Sequence, residues 1–270
     1  MRTLRFNGGF SLERDLIKGM LAFTNTGEAT SNDAVGAYLG INPYKVNGLR
    51  GWFCKLGLGS TSANQYTLSP FGALVRQYDP ELSRPGTLWL MHYFLASEHE
   101  ECSEVWYQCF NNFLQARLRF TRQELHDHIT QSLPENPSNK DGADKDVKEL
   151  FKTYLNESAL GGLKLITQQA DKTLIAGMSS LPEPLIAAYI LFDMWQRRYN
   201  EANTVRLSQL VNEPEGPGKI FVATSEQVRD VVLQLQAHGY VTYADTQHEP
   251  VTRRFHDSPD TLLEQFYRRA

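Results

Sequence analysis

The chain has 270 residues, 41% hydrophobic and 21% charged, the composition of a globular protein with room for one large domain or two to three small ones. A net charge of −4 and a pI near 6.0 exclude a protein that coats nucleic acid non-specifically, and three cysteines without a CxxC pair point to a reducing compartment. The longest apolar run, Pro184 to Phe192, is far short of the ~20 residues of a spanning helix, and no secretory segment follows Met1, so a cytoplasmic protein with no membrane partner is expected.

Residues 6–25 read as a turn or short strand followed by a helix with Leu12, Leu16, Ile17, Met20 and Leu21 on one face and Arg14 and Lys18, four apart, on the other. A second helix, with Thr30 or Ser31 as N-cap, stops at Gly40. Asn42 and Pro43 then open a third, in which Val46, Leu49, Phe53 and Leu56 repeat at helical spacing and must pack on a core. Its other residues are Tyr44, Lys45, Asn47, Gly48, Arg50, Gly51 and Lys55, cations for phosphates, polar groups for base edges, and two glycines that allow close approach. Gly57 and Gly59 end this helix, Ser60 to Gln65 form a turn, and Tyr66 to Leu68 a strand, so residues 30–68 read as a helix-turn-helix followed by a wing.

Residues 70–78 form a short helix before a boundary at Pro80, Pro85 and Gly86. Residues 87–119 are aromatic and helical, with an acidic break at 98–101. Trp89, Tyr93, Trp106 and Phe110 are expected on buried faces rather than on a base-stacking platform. Thr121 and Glu124 make a capping box, residues 134–140 a polar loop, and Val147, Leu150, Phe151 and Tyr154 mark a helix before a hairpin turning at Gln169 to Lys172. A long apolar helix over 181–199, a short helix over 204–211, an amphipathic helix over 225–238, a hairpin and a closing helix complete the chain.

The predicted fold is mainly α with small β-hairpins, built as tandem winged helix-turn-helix-like units around an aromatic-rich helical core. The units are 1–80, the candidate DNA-binding unit; 81–180, the helical core with a second unit; and 181–270, the third. The first 80 residues hold eight Lys and Arg against five Asp and Glu, whereas the rest is acidic. In the second unit Asp141, Asp144, Asp146 and Glu149 accompany the lysines, and in the third Glu226 and Asp230 outnumber Arg229, so only the first recognition helix suits DNA.

No GxxxxGK[ST], GxGxxG after a strand, HExxH or GxSxG is present, and no catalytic residue, cofactor or metal site is expected. Glu98, His99, Glu101 and Cys102 have ligand chemistry but no completing cluster, His126 and His128 diverge on a helix, and Cys54 reads as a small buried hydrophobe.

The segments FNGGFSL, VNGLRGWFCKLGL, YTLSPFGALV, PGTLWLMHYFL, EVWYQCFNNF with FTRQEL, and DKDVKELFKTYL, in that order, resemble a bacterial family catalogued as domain of unknown function 4007. The resemblance covers most of the chain and is least distinct in the last third. It implies a context beside genes for phosphorothioate DNA modification and phage defence, including reductase-like sulfotransfer proteins, and carries no catalytic residues.

Three functions follow as expectations. The first is a non-catalytic component that binds double-stranded DNA in a DNA-modification or phage-defence system. It uses Tyr44, Lys45, Asn47, Gly48, Arg50, Gly51 and Lys55, with Asn64 and Gln65 in the wing and Arg14 and Lys18 near the backbone. The second is an adaptor that docks a catalytic protein subunit of such a complex through the acidic units. The third is a winged-helix transcription regulator.

Overall fold

The architecture is that of a computed structural model, which describes residues 2–24, 31–62, 65–99, 102–114, 118–178, 180–200 and 202–269. It is mainly helical with small sheets, as expected.

The first third contains strand β1 (Arg2–Thr3), helices α1 (Arg14–Phe23), α2 (Asn32–Leu39) and α3 (Pro43–Lys55), strands β2 (Gly59–Ser62) and β3 (Gln65–Leu68), and helix α4 (Pro70–Tyr78). The local chemistry works as read. The Ser31 side chain accepts from the Ala34 N–H at the start of α2, Gly40 ends it in the left-handed region, and Asn42 caps α3 with Pro43 at its first position. Val46, Leu49, Phe53 and Leu56 are all buried, and α1, α2 and α3 pack on one another. The hairpin is longer than the sequence suggests. Residues 60–62 and Gln65 pair as strands, because antiparallel pairing from Gly59 with Leu68 to Ser62 with Gln65 satisfies backbone groups within the chain.

The middle third holds α5 (Pro85–Ala96), β4 (Cys102–Ser103), α6 (Glu104–Gln108) running into a π-helical turn at Cys109–Phe113, β5 (Arg119–Phe120), α7 (Arg122–Ser132), α8 (Pro137–Leu155), β6 (Ile166–Gln168) and β7 (Leu174–Ala176). The Thr121 and Glu124 capping box is present, and the β6–β7 hairpin turns where expected. Two readings need correction. Helix α8 starts inside the expected 134–140 loop, because the Asn136 side chain caps it and Pro137 fits its first turn. Asp146 and Glu149 are buried rather than on an outer face; an Asp146 oxygen accepts from the Arg5 N–H at 2.6 Å.

The last third comprises α9 (Pro184–Arg198), β8 (Thr204–Arg206), α10 (Leu207–Asn212), α11 (Pro217–Ile220), α12 (Ser225–Ala237), β9 (Val241–Tyr243), β10 (Pro250–Arg253) and α13 (Asp260–Arg268). The expected helix over 204–211 is instead a strand followed by a helix. Val205 pairs with Val251, so β8 extends the β9–β10 hairpin to three strands, and β5 does the same for β6–β7.

Trp89, Tyr93, Trp106 and Phe110 are buried, and α5 and α9 are buried nearly all round. One continuous core runs from Leu12 to Tyr267, with a small satellite of Phe23, Val35 and Val46 under α2 and α3. Helix α13 returns to pack on α9 and α4, so the divisions at 80 and 180 do not separate hydrophobic cores.

Candidate nucleic-acid interface

The face of α3 read as open to DNA is partly covered by the chain's own N-terminus. β1 pairs in parallel with β4, and the arm then turns through residues 6–10 across α3. The Phe6 ring meets Trp52 and Trp106 edge-on at 4.9 and 5.5 Å, and the Trp52 indole donates to the Phe10 carbonyl at 2.9 Å. Gly48 and Gly51 are where this backbone crosses the helix. A methyl group on Gly51 would overlap the Phe6 carbonyl oxygen, and one on Gly48 the Asn7 carbonyl oxygen. Gly48 and Gly51 therefore accommodate the chain's own arm and not an outside partner. Lys55 is also corrected: it is buried, with its ammonium 5.9 Å from the Phe6 ring centroid.

Arg14 is likewise committed inside the molecule, donating to the carbonyls of Leu82 and Glu157 and so tying α1 to two distant loops. Lys18 pairs with Asp15 at 2.9 Å and Glu81 at 3.3 Å, which raises its pKa through those two carboxylates. Lys45 pairs with Glu13 at 2.7 Å, and the Arg50 guanidinium donates to the Tyr66 hydroxyl at 2.7 Å while lying over its ring. Burial raises the Tyr66 pKa and the Arg50 charge opposes it, so the phenol stays neutral and can accept.

The exposed chemistry is concentrated at the N-terminal half of α3. Tyr44 is 65% exposed, and Asn47 is exposed, accepting from the Asn32 amide at 2.7 Å. Gln65 is exposed on β3, beside the rim where Arg50 meets Tyr66; Asn64 lies outside the described residues. Tyr44, Lys45, Asn47, Arg50 and Gln65 thus form a smaller surface than the sequence suggests, with two cations that already have intramolecular partners. Tyr38, on α2, is 48% exposed. The sequence reading missed Glu13 and Tyr66 as partners of Lys45 and Arg50. It also missed the arm, although small residues at i and i+3 on a helix are a general signal of close backbone approach.

A second polar assembly joins the later helices. Glu215, fully buried, accepts from Arg197 at 2.5 Å and Arg198 at 2.9 Å, and its backbone N–H donates to the Asn111 side chain. Arg197 also donates to Asp193 at 3.0 Å, and Asp193 accepts from the Tyr93 hydroxyl. Asp193 stands 3.4 Å from His99; its pKa, which burial would raise, is held down to about 2 by His99, Arg197 and Tyr93. Among the described residues no group of three or more His, Cys, Asp or Glu could hold a metal, and no helix is long and apolar enough to cross a membrane.

Residues 13–267 match the family described as "Protein of unknown function (DUF4007)", and the chain belongs to that family. Two solved structures are similar to it in fold, one titled "Magnesium ion-bound SspB crystal structure" at a TM-score of 0.81 and one titled "SspB crystal structure" at 0.79. Each is 20% identical to this chain, covering 99% of it and 88% of the other chain. No curated protein matches.

Proposed function

We propose that the chain is a non-catalytic, DNA-binding accessory component of a bacterial DNA-modification system of the phosphorothioation type, or of a phage-defence system. In this reading α1, α2 and α3 with the β2–β3 hairpin form a winged helix-turn-helix, and the first two turns of α3 enter the major groove. The observation that carries it is the pairing of an exposed, polar N-terminal half of α3 with an adjacent two-stranded hairpin. Tyr44 and Asn47 face outward there, and Gln65 stands on the neighbouring strand. The positive end of the helix dipole also lies there. The family resemblance supplies the modification context, and the SspB-like fold is compatible with it.

With Lys45 and Arg50 as the cations of this surface, at most two phosphate contacts form, and log affinity should fall with log salt at a slope of about −2. Fluorescence anisotropy on duplex DNA at low salt tests this. Tyr44→Ala with Asn47→Ala should weaken binding without unfolding the chain, and absence of binding by the native protein would sink the proposal. Supercoiled plasmid incubated with the protein and magnesium should stay supercoiled; relaxation would overturn its non-catalytic part.

A second reading, a protein adaptor docking a catalytic subunit, is favoured by the engagement of Lys18, Lys45 and Arg50 within the chain and by the acidic balance beyond residue 80. Affinity capture from the native host in the presence of nuclease should then recover a stoichiometric partner.

A further inference from the structure

A cavity of about 210 Å³ lies between the π-helical turn, α10, α11 and the start of α12, far along the chain from the candidate DNA surface. Its apolar side is formed by Phe110, Leu114, Leu118 and Val222, and its polar side by Lys219, Thr224 and Ser225. Leu118 is 50% exposed at its rim. Lys219 is the unusual member. Its side chain is 3% exposed, and its ammonium is buried with no hydrogen-bond partner among the described residues. An ammonium removed from water and left unpaired is costly, and proteins ordinarily pair such a charge or exclude it. Burial pushes its pKa down to about 8, which still leaves it mostly protonated at neutral pH.

Two further features line the same cavity. Thr224 caps α12, a helix of thirteen residues, so the first turn of that helix brings its partial positive charge to the cavity. Val222 has a φ of +51°, a conformation that a β-branched residue adopts only when its surroundings enforce it. The strained residue immediately precedes the Ala223–Ser225 segment that lines the cavity.

We propose that this cavity binds a small carboxylate with an apolar body, its carboxylate meeting Lys219 and the start of α12 and its hydrocarbon lying along Phe110, Leu114 and Leu118. Among the described residues lining the cavity Lys219 alone is charged, which matches a monoanion. The volume lies below the roughly 300–1,000 Å³ of drug-sized sites, which restricts the occupant to a short acid or to the last residue of a protein chain.

Hexanoate, hexanamide and N-acetyl-leucine, titrated into the full chain and followed by calorimetry and ligand-observed NMR, test the site. Hexanoate should bind at least about tenfold more tightly than hexanamide, as expected for a charge-assisted hydrogen bond made away from water. Lys219→Met should abolish that preference while keeping or raising the melting temperature, because it removes an unpaired buried charge. Leu118→Asp, at the exposed rim, gives an independent check: it should weaken hexanoate more than hexanamide by placing a like charge at the entrance. N-acetyl-leucine binding more tightly than hexanoate would assign the site to chain termini, and the reverse order to free acids. Equal binding of hexanoate and hexanamide, no binding of either at about 10 mM, or an unchanged preference in Lys219→Met would each overturn the proposal.

Discussion

Gly51→Ala is the most direct test of how α3 is used. On an open helix this change stabilises by up to about 1 kcal/mol, through helix propensity. Here the new methyl would lie 2.8 Å from the Phe6 carbonyl carbon and 3.2 Å from its ring, and would overlap its carbonyl oxygen. Ordinary carbon contacts are about 3.5–4.0 Å, so the arm must retreat by close to 1 Å. It has little freedom to do so. Arg2 and Thr3 pair with β4, the Arg5 N–H binds Asp146, and the Phe10 carbonyl binds Trp52. Overpacking of this kind costs about 1–3 kcal/mol, and losing the Trp52 hydrogen bond adds about 1 kcal/mol. The propensity gain is therefore outweighed by roughly 1–3 kcal/mol, and at about 2–4 °C per kcal/mol for a chain approaching this size the melting temperature should fall by several degrees. Differential scanning calorimetry of Gly51→Ala and Gly48→Ala reads this, with Gly9→Ala unsuitable as a control because its φ is +85°. A melting temperature equal to or above that of the native chain would refute the seating of the arm and reopen this face of α3 to an outside partner.

Three further outcomes follow from the same structure. Burial lowers the His92 pKa from 6.5 to about 4, so the stability of its neutral form is complete above pH 6.5 and lost as pH falls toward 4, roughly 3 kcal/mol in all. Burial raises the Asp146 pKa from 3.8 to about 6, a penalty present above pH 6 and relieved as pH falls toward 3.8, of similar size and opposite sign. Asp146→Asn should therefore be more stable than the native chain at pH 7 and markedly more acid-sensitive between pH 6.5 and 4 in urea titrations; parallel pH profiles would contradict this. Glu215→Ala leaves Arg197 with Asp193 as its carboxylate, takes from Arg198 its charged partner and opens a buried void, and should cost about 2–4 kcal/mol by denaturant unfolding, whereas Glu264→Ala, which breaks the exposed pair with Arg268, should cost at most about 1 kcal/mol. Tyr66→Phe removes the hydroxyl that accepts from Arg50 and should cost about 1 kcal/mol of stability in denaturant unfolding; an unchanged midpoint would refute the worth of that contact.

The local order of the chain was legible wherever one signal had one physical meaning. Ser31, Gly40, Asn42 and Pro43 set the limits of α2 and α3 through capping chemistry confined to neighbouring residues, and the 3.6-residue spacing of Val46, Leu49 and Phe53 chose the buried face. The aromatic run at 87–96 announced a buried helix in the same way. The segment at 204–206 was misread because three residues carry too little periodicity to separate strand from helix; pairing with β10, 44 and more residues away, made it a strand.

The candidate site divides along the same line. Helical spacing alone placed Tyr44 and Asn47 away from the core, and both are exposed. The identical reasoning placed Gly48, Gly51 and Lys55 outside, and it failed because periodicity reports distance from one core and says nothing of a second surface that folds over the helix from residues 6–10. The two glycines did signal close approach; only the tertiary structure decided that the approaching group is the chain's own Phe6 and Asn7. Charge behaved alike. Counting cations found eight in the first 80 residues, but Arg14 is held by carbonyls from residues 82 and 157, and Lys18 and Lys45 by Glu81 and Glu13. Composition determines how many charges a segment carries; which remain available to a partner depends on contacts between residues remote in sequence, and those exist only once the chain has folded.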